Sequence, residues 1–195
     1  TPAWCWKTWL LTYWVYGMRT QDLIPTKRCA VGMLRKYFVT GPSCPLKSTL
    51  QLCPAWEHGW FFFPPRKTFR RTGKRVCLPV HAALVDRYRL LLASHSSDQL
   101  WPLSAWSHST LARQWRLIRK AAGVAADVSI SGRNPSRSLR NSATNNWRRI
   151  AGHDTAEYVT GHAPKSVTGR HYLEAPIEQM LAAIGSYPLP NFQNT

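Results

Sequence analysis

Acidic residues are scarce in this chain. Nine Asp and Glu side chains stand among 195 residues, against 26 Lys and Arg, so the formal net charge is +17. The acidic residues form no cluster, whereas a two-metal site needs several carboxylates close together. The composition therefore disfavours a nuclease that cuts its substrate with two metal ions.

The motifs of several large enzyme classes are missing as well. The sequence contains no P-loop, no glycine-rich dinucleotide turn and no Gly-x-Ser-x-Gly elbow. We therefore have no sequence reason to expect a P-loop nucleotide hydrolase, a dinucleotide-dependent dehydrogenase or an α/β-hydrolase.

No apolar run is long enough to cross a membrane. The most apolar stretch, AWCWKTWLLTYWV, includes Lys7 and is shorter than the roughly 20 residues that a spanning helix needs. It also lacks the basic start and the small-residue cleavage site of a secretory signal. We expect neither a membrane segment nor a membrane partner.

Cysteines are few, odd in number and irregularly spaced. This pattern fits a reducing cytoplasm better than a disulfide scaffold. Zinc binding by Cys29, Cys44 and Cys53 with His58 is an alternative, but the spacing from Cys44 to Cys53 does not match a zinc knuckle. We expect ordinary thiols, no metal and no cofactor.

What the chain does have is concentrated positive charge. Seventeen Lys and Arg lie between Gly59 and Ile150 with three acidic residues, and most of the basic residues are Arg, which can grip phosphate with two parallel hydrogen bonds. Such a charge implies a polyanionic partner, and nucleic acid is the usual one. No basic amphipathic helix with a clean apolar face supports a membrane surface instead.

Periodicity predicts a mainly α protein with a small antiparallel β-hairpin, an α+β fold. The predicted helices cover 3–16, 81–94, 108–123, 135–152, 154–161 and 176–185. Two short strands, GWFFFPP and KRVCLPV, flank the basic turn RKTFRRTG. We expect one domain over 1–186 with an insertion at 25–58, followed by a tail at 187–195.

Five scattered residues suit the cleavage of a phosphodiester by a tyrosine: Arg19, Lys67, Arg140, His162 and Tyr172. Two guanidiniums can neutralise the charge that the attack builds on the phosphate oxygens. A lysine in a hairpin can protonate the leaving oxygen, and a histidine can bond the phosphate or help to move the tyrosine proton. This scheme needs no metal.

The same residues lie in three stretches that resemble the boxes of the tyrosine recombinases, the phage-integrase family. YGMRTQDL resembles the first box, with Arg19 and the supporting Asp22 in place. SRSLRNSAT resembles the second, where Arg140 takes the arginine. VTGHAPKSVTGRHYLEA resembles the third, where His162 and Tyr172 take their roles. The resemblance covers nearly the whole chain in order.

The resemblance implies the fold of the DNA breaking-rejoining catalytic domains and a specific reaction. Tyr172 would attack a phosphate of double-stranded DNA and form a 3′-phosphotyrosyl intermediate, without ATP. It further implies a homotetramer on paired DNA sites, which can be a monomer when free in solution, and a second, N-terminal core-binding domain, which we expect to be absent from this chain. We expect a bacterial or phage-encoded protein of the nucleoid.

One position departs from the family pattern, and the hairpin lysine has two candidates. Arg137 stands where the second box usually begins with His, and because arginine stays charged it can hold phosphate but cannot act as a general base. The hairpin lysine is Lys67, with Lys74 as the alternative. Further DNA contacts are expected from a group of arginines: Arg66, Arg70, Arg71, Arg75 and Arg133.

Two other functions remain open at this point. A catalytically impaired recombinase homologue would bind DNA without cutting it, and Arg137 favours that interpretation. A type IB topoisomerase would share the chemistry but relax supercoils as a monomer.

Overall fold

The computed structural model describes a helical protein with one small sheet. The described residues are 3–23, 34–46, 55–65, 69, 73, 75–101, 113–114, 116–117, 120, 136–161 and 175–190. In chain order the elements are α1 (Ala3–Tyr16), α2 (Thr20–Leu23), a 3-10 turn (Arg35–Tyr37), β1 (Phe38–Val39), β2 (Trp60–Phe63), β3 (Val76–Pro79), α3 (Ala82–Ser94), α4 (Ser136–Val159) and α5 (Ile177–Ile184). The predicted α+β class is confirmed.

The sheet is antiparallel, with β2 in the centre. The predicted hairpin strands pair as β2 and β3, and Phe62 lies opposite Cys77. Strand β1 was not predicted; it pairs with β2 and sets Phe38 opposite Phe61. Phe38 is buried, and its ring packs on Phe61 and Tyr88. Part of the expected insertion at 25–58 therefore belongs to the core.

Arg35 fastens this segment to the carboxyl end of α3. Its guanidinium donates hydrogen bonds to the backbone oxygens of Leu92, at 2.5 Å, and of His95. The last carbonyl groups of a helix have no partner within the helix, and basic side chains commonly bind them. The contact holds the start of β1 close to α3.

Helix α1 packs against α3 and α4, and apolar side chains surround it. Its buried polar side chains are satisfied locally, because Thr8 Oγ1 and Thr12 Oγ1 each donate to the carbonyl oxygen four residues earlier at 2.8 Å. A helix that is apolar on every side is expected in the interior of a domain.

Two tyrosine hydroxyls join α1 to the sheet and to α3. Tyr16 Oη donates to the Pro79 oxygen and accepts from the His81 N–H, both at 2.8 Å. Tyr88 Oη bonds Thr12 Oγ1 at 2.5 Å. Both tyrosines are fully buried. These bonds set the end of α1 beside the junction of β3 and α3.

The predicted helices at 135–152 and 154–161 are the two halves of α4, which meet at a kink where the backbone of Gly152 is not helical (φ 85°, ψ 174°). An ion pair between Arg148 and Glu157, 2.9 Å long, spans this kink. On the inner face Trp147 is fully buried, and its Nε1 donates to the Val15 oxygen at 2.6 Å. The first part of α4 is thus anchored on α1.

The core continues beyond α5 into the predicted tail. Tyr187 is buried, its ring packs against Trp147, and its hydroxyl donates to the Trp14 oxygen at 2.5 Å. Trp14 Nε1 in turn donates to the Pro188 oxygen at 2.6 Å. These reciprocal bonds hold the start of the 187–195 segment against α1.

Parts of two predicted elements lie outside the described residues. Of the basic turn at 66–73, the structure describes Phe69 and Gly73, and the φ of 64° at Gly73 agrees with the turn expected there. Of the predicted helix at 108–123, the five described residues are helical. Within the described ranges, no helix is both long enough and apolar enough to span a bilayer.

Candidate phosphate-binding site

A glycine at the end of α1 lets the chain turn close to α4. Gly17 has a φ of 54°, and its N–H donates to the Tyr13 oxygen at 2.8 Å. A Cβ at this position would lie 2.9 Å from the Ala143 Cβ and 3.2 Å from the Arg140 oxygen. Only glycine fits this approach without displacing α4. Arg19 follows two residues later and therefore starts beside α4.

Arg140 reaches from α4 to the ends of two helices. Its Nη1 donates to the Gly17 oxygen at 2.6 Å, and its Nη2 donates to the Thr160 oxygen. The first acceptor follows α1 and the second follows α4. The guanidinium therefore connects the segment after α1, which belongs to the first predicted box, to the segment after α4, which belongs to the third.

Arg19 binds the next carbonyl along the chain. Its Nη2 donates to the Gly161 oxygen at 3.0 Å. Gly161 has a φ of 66°, and its N–H donates to the Tyr158 oxygen at 3.0 Å, so the chain turns sharply as α4 ends. The two predicted arginines thus converge on one turn. His162, the predicted phosphate ligand, is the next residue in the sequence.

The two guanidiniums lie close enough to affect each other. Burial, and after it the charge of Arg19, lower the pKa of Arg140 to about 10, although the nearby Asp22 carboxylate opposes the shift. Arg140 stays protonated at neutral pH, and Asp22 is itself buried. Repulsion between two fixed cations favours binding of an anion beside both of them.

One donor of this pair is unused within the described residues. Arg19 Nη1 is buried there and has no hydrogen-bond partner. A buried charged donor without an acceptor costs at least about 1–3 kcal/mol. An oxygen of a bound anion would remove this cost, and guanidinium groups bind phosphate oxygens particularly well.

The remaining predicted residues divide into two groups. Arg137 is exposed in the first turn of α4, three residues before Arg140, and exposed Arg75 stacks its guanidinium on the Phe62 ring at 5.4 Å. The others lie outside the described residues: Arg66, Lys67, Arg70, Arg71, Lys74, Arg133, His162 and Tyr172.

Sequence reasoning missed the backbone that holds the arginines. Gly17, Thr160 and Gly161 supply the three acceptor oxygens. The signal was present, because a glycine ends a predicted helix at both places, and a terminal glycine commonly adopts a positive φ. Local sequence patterns could not predict that the carboxyl ends of α1 and α4 lie close together.

Tyr158 connects this turn to the sheet. Its hydroxyl accepts a hydrogen bond from the Cys77 N–H of β3 at 3.0 Å.

Among the described residues, no group of three or more His, Cys, Asp or Glu side chains lies close enough together to hold a metal ion. Cys29 and Cys53 of the alternative zinc set lie outside those residues.

Comparisons with protein-family models, with curated proteins and with solved structures found no match to this chain.

Proposed function

We propose that this chain is the catalytic domain of a tyrosine-type site-specific DNA recombinase. The supporting observation is the convergence of Arg19 and Arg140 on the turn that leads into His162. The two arginines are far apart in the sequence, and the sequence predicts a shared role for them in binding phosphate. If Arg19 and Arg140 were only solvated surface charges, we would not expect them to converge on one turn.

In this proposal the two guanidiniums bind the non-bridging oxygens of one DNA phosphate. Backbone carbonyls hold both side chains before the substrate arrives, so little reorganisation is needed as negative charge develops. His162 would donate a further hydrogen bond to the same phosphate. Arg137, at the exposed start of α4, would contact the phosphate or its neighbour.

The chemical step is a transesterification. The Tyr172 hydroxyl gives its proton to solvent and its oxygen attacks phosphorus, the bond from phosphorus to the 5′ oxygen breaks, and a 3′-phosphotyrosyl ester forms. Lys67, or Lys74 as the alternative, gives its proton to the leaving 5′ oxygen. A 5′-hydroxyl of another strand then attacks the ester and releases the tyrosine. The number of ester bonds is unchanged, so the cycle needs no ATP.

Binding would rest on charge along the duplex. The exposed Arg75 immediately precedes β3 and follows the basic turn at 66–73, which carries Arg66, Arg70 and Arg71. Arg133 precedes α4. Each phosphate that such a residue neutralises adds to the affinity and to its salt dependence. Strand exchange on paired sites would require four copies of the chain on DNA.

The experiment that tests the proposal is a search for the covalent adduct. The 195-residue chain is incubated with a library of random-sequence duplexes, denatured in detergent and freed of unbound DNA. We expect DNA that stays attached through its 3′ end until protease digests the protein. Tyr172→Phe abolishes the adduct, and Tyr37→Phe, in the 3-10 turn, retains it.

Two other outcomes would contradict the proposal in different ways. Tight DNA binding without any adduct, and without any effect of Tyr172→Phe, would favour the catalytically impaired homologue. The presence of Arg137 in place of the family's histidine is the observation behind this second candidate. Relaxation of supercoiled plasmid without strand exchange would favour a type IB topoisomerase.

A further inference from the structure

Two cysteine side chains that the proposed phosphate chemistry does not use lie close together beside the sheet. Cys44 Sγ lies 3.7 Å from Cys77 Sγ, although 33 positions separate the residues in the sequence. Cys44 belongs to the irregular segment 40–46 that follows β1, and Cys77 lies in β3. The contact therefore joins part of the expected insertion to the sheet.

The two cysteines differ in accessibility. Cys77 is fully buried, whereas Cys44 is half-buried. A small oxidant therefore reaches Cys44 more readily than Cys77. This asymmetry is the one expected of an attacking thiol and a resolving thiol.

The surrounding bonds keep the pair together. The Pro42 oxygen, two residues before Cys44, accepts from the Trp56 N–H at 2.8 Å and from Trp60 Nε1 at 3.1 Å. On the other side, the Cys77 N–H donates to Tyr158 Oη. A disulfide needs a sulfur–sulfur distance of about 2.05 Å, so the sulfurs must approach by about 1.6 Å. The irregular segment can supply that movement more easily than the paired strand.

We propose that Cys44 and Cys77 form a peroxide-sensitive dithiol. The Cys44 thiolate attacks the peroxide O–O bond, which gives a sulfenic acid and one water after protonation. The Cys77 sulfur then attacks the Cys44 sulfur, and the sulfenic oxygen leaves as a second water. Two thiols and one hydrogen peroxide become one disulfide and two waters. Low-molecular-weight thiols restore the reduced pair by exchange.

Oxidation locks the 40–46 segment covalently onto β3. In a reducing compartment the dithiol is the resting state, and the disulfide forms transiently under oxidant. This inference does not depend on the proposed function, because it concerns two side chains that the phosphate chemistry does not use.

The test maps thiols by mass spectrometry. The reduced chain is treated with a small excess of hydrogen peroxide, alkylated and digested without reductant. We expect one linked peptide pair containing Cys44 and Cys77, which separates when dithiothreitol is added. Cys5→Ala, which removes a buried thiol of α1, retains the linkage.

Two variants make the order of reaction visible. In Cys44→Ser we expect loss of the linkage and an unmodified Cys77, because burial protects it. In Cys77→Ala we expect a Cys44 sulfenic acid that a dimedone probe captures. Linkage of Cys44 to Cys29 or Cys53 in the unaltered chain, no linkage at all, or rapid oxidation of Cys77 in Cys44→Ser would overturn the proposal.

Discussion

Arg140 and Arg19 donate hydrogen bonds to the carbonyl oxygens of two consecutive residues, Arg140 to Thr160 and Arg19 to Gly161. These acceptors are neutral, and neither arginine forms an ion pair within 4 Å among the described residues. The backbone therefore fixes the position of the two cations without cancelling their charge. A site of this kind is preorganised for an anion.

Replacing either arginine by lysine should remove the proposed activity. A lysine carries the charge but cannot bond a carbonyl and a phosphate in the same fixed plane. We expect Arg19→Lys and Arg140→Lys each to lower the yield of the covalent DNA adduct by about 100-fold or more. Arg149→Lys, on the exposed face of α4, is the matched control and should stay near the unaltered yield.

Salt titrations separate this effect from general electrostatics. All three lysine variants preserve net charge, so the dependence of DNA affinity on salt should remain the same. An equal loss of adduct in Arg149→Lys would contradict a specific role for the converging pair.

Local patterns in the sequence were enough to predict most of the fold. The helix at 3–16 and the strands around Phe61 and Leu78 follow from local periodicity and turn residues, and all three agree with the structure. Strand β1 is two residues long, so it has no alternation to detect, and it exists because Phe38 can pack on Phe61. The burial of Tyr187 likewise depends on a distant partner, Trp14.

The candidate site was predictable only in part. Resemblance to the recombinase boxes selected Arg19 and Arg140, whereas no periodicity relates residues that lie so far apart. The hydrogen bond from Arg140 to the Gly17 oxygen spans 123 positions and results from the packing of α1 on α4. Such a contact is a property of the folded chain, so short-range sequence patterns cannot contain it.

Gly17→Ala should destabilise the protein far more than a comparable change elsewhere. The new Cβ meets the Ala143 Cβ at 2.9 Å, and the positive φ adds backbone strain. We expect a loss of about 3–4 kcal/mol in the free energy of unfolding, from overpacking and strain together. Chemical denaturation measures it.

Gly73→Ala is the control for that experiment. Its φ of 64° imposes similar strain, but no heavy atom of the part of the chain that the structure describes lies within 4 Å of the added Cβ. We expect a loss of about 1 kcal/mol. Equal losses of unfolding free energy in the two variants would mean that the close approach of Gly17 to α4 does not add to the destabilisation.

The hydroxyl groups of the buried residues Tyr16 and Tyr88 should contribute different amounts to the free energy of unfolding. Tyr16→Phe leaves the Pro79 oxygen and the His81 N–H without this partner, whereas in Tyr88→Phe the Thr12 hydroxyl keeps its bond to the Thr8 oxygen. Unsatisfied buried groups cost about 1–3 kcal/mol each, and one lost hydrogen bond costs about 1 kcal/mol. Thermal and urea unfolding should therefore rank Tyr16→Phe as the more damaging change; the reverse order would contradict the hydrogen-bond assignment.

His81 should make the protein less stable in mild acid. Burial lowers its pKa below the usual value near 6.5, and nearby His58 lowers it further. The unfolded chain therefore binds a proton that the folded chain resists, so the free energy of unfolding falls as the pH drops below about 6.5. For one group the slope is at most about 1.4 kcal/mol per pH unit.

The variant His81→Asn isolates this contribution. His81 Nδ1 accepts from the Ala83 N–H at the start of α3, and asparagine can cap a helix in the same way without titrating. We expect urea unfolding at pH 7.5 and 5.5 to show a smaller difference for His81→Asn than for the unaltered protein. His153→Asn, at an exposed position, should leave the difference unchanged. If His153→Asn reduced the difference as much as His81→Asn, the acid sensitivity would not originate at the buried ring.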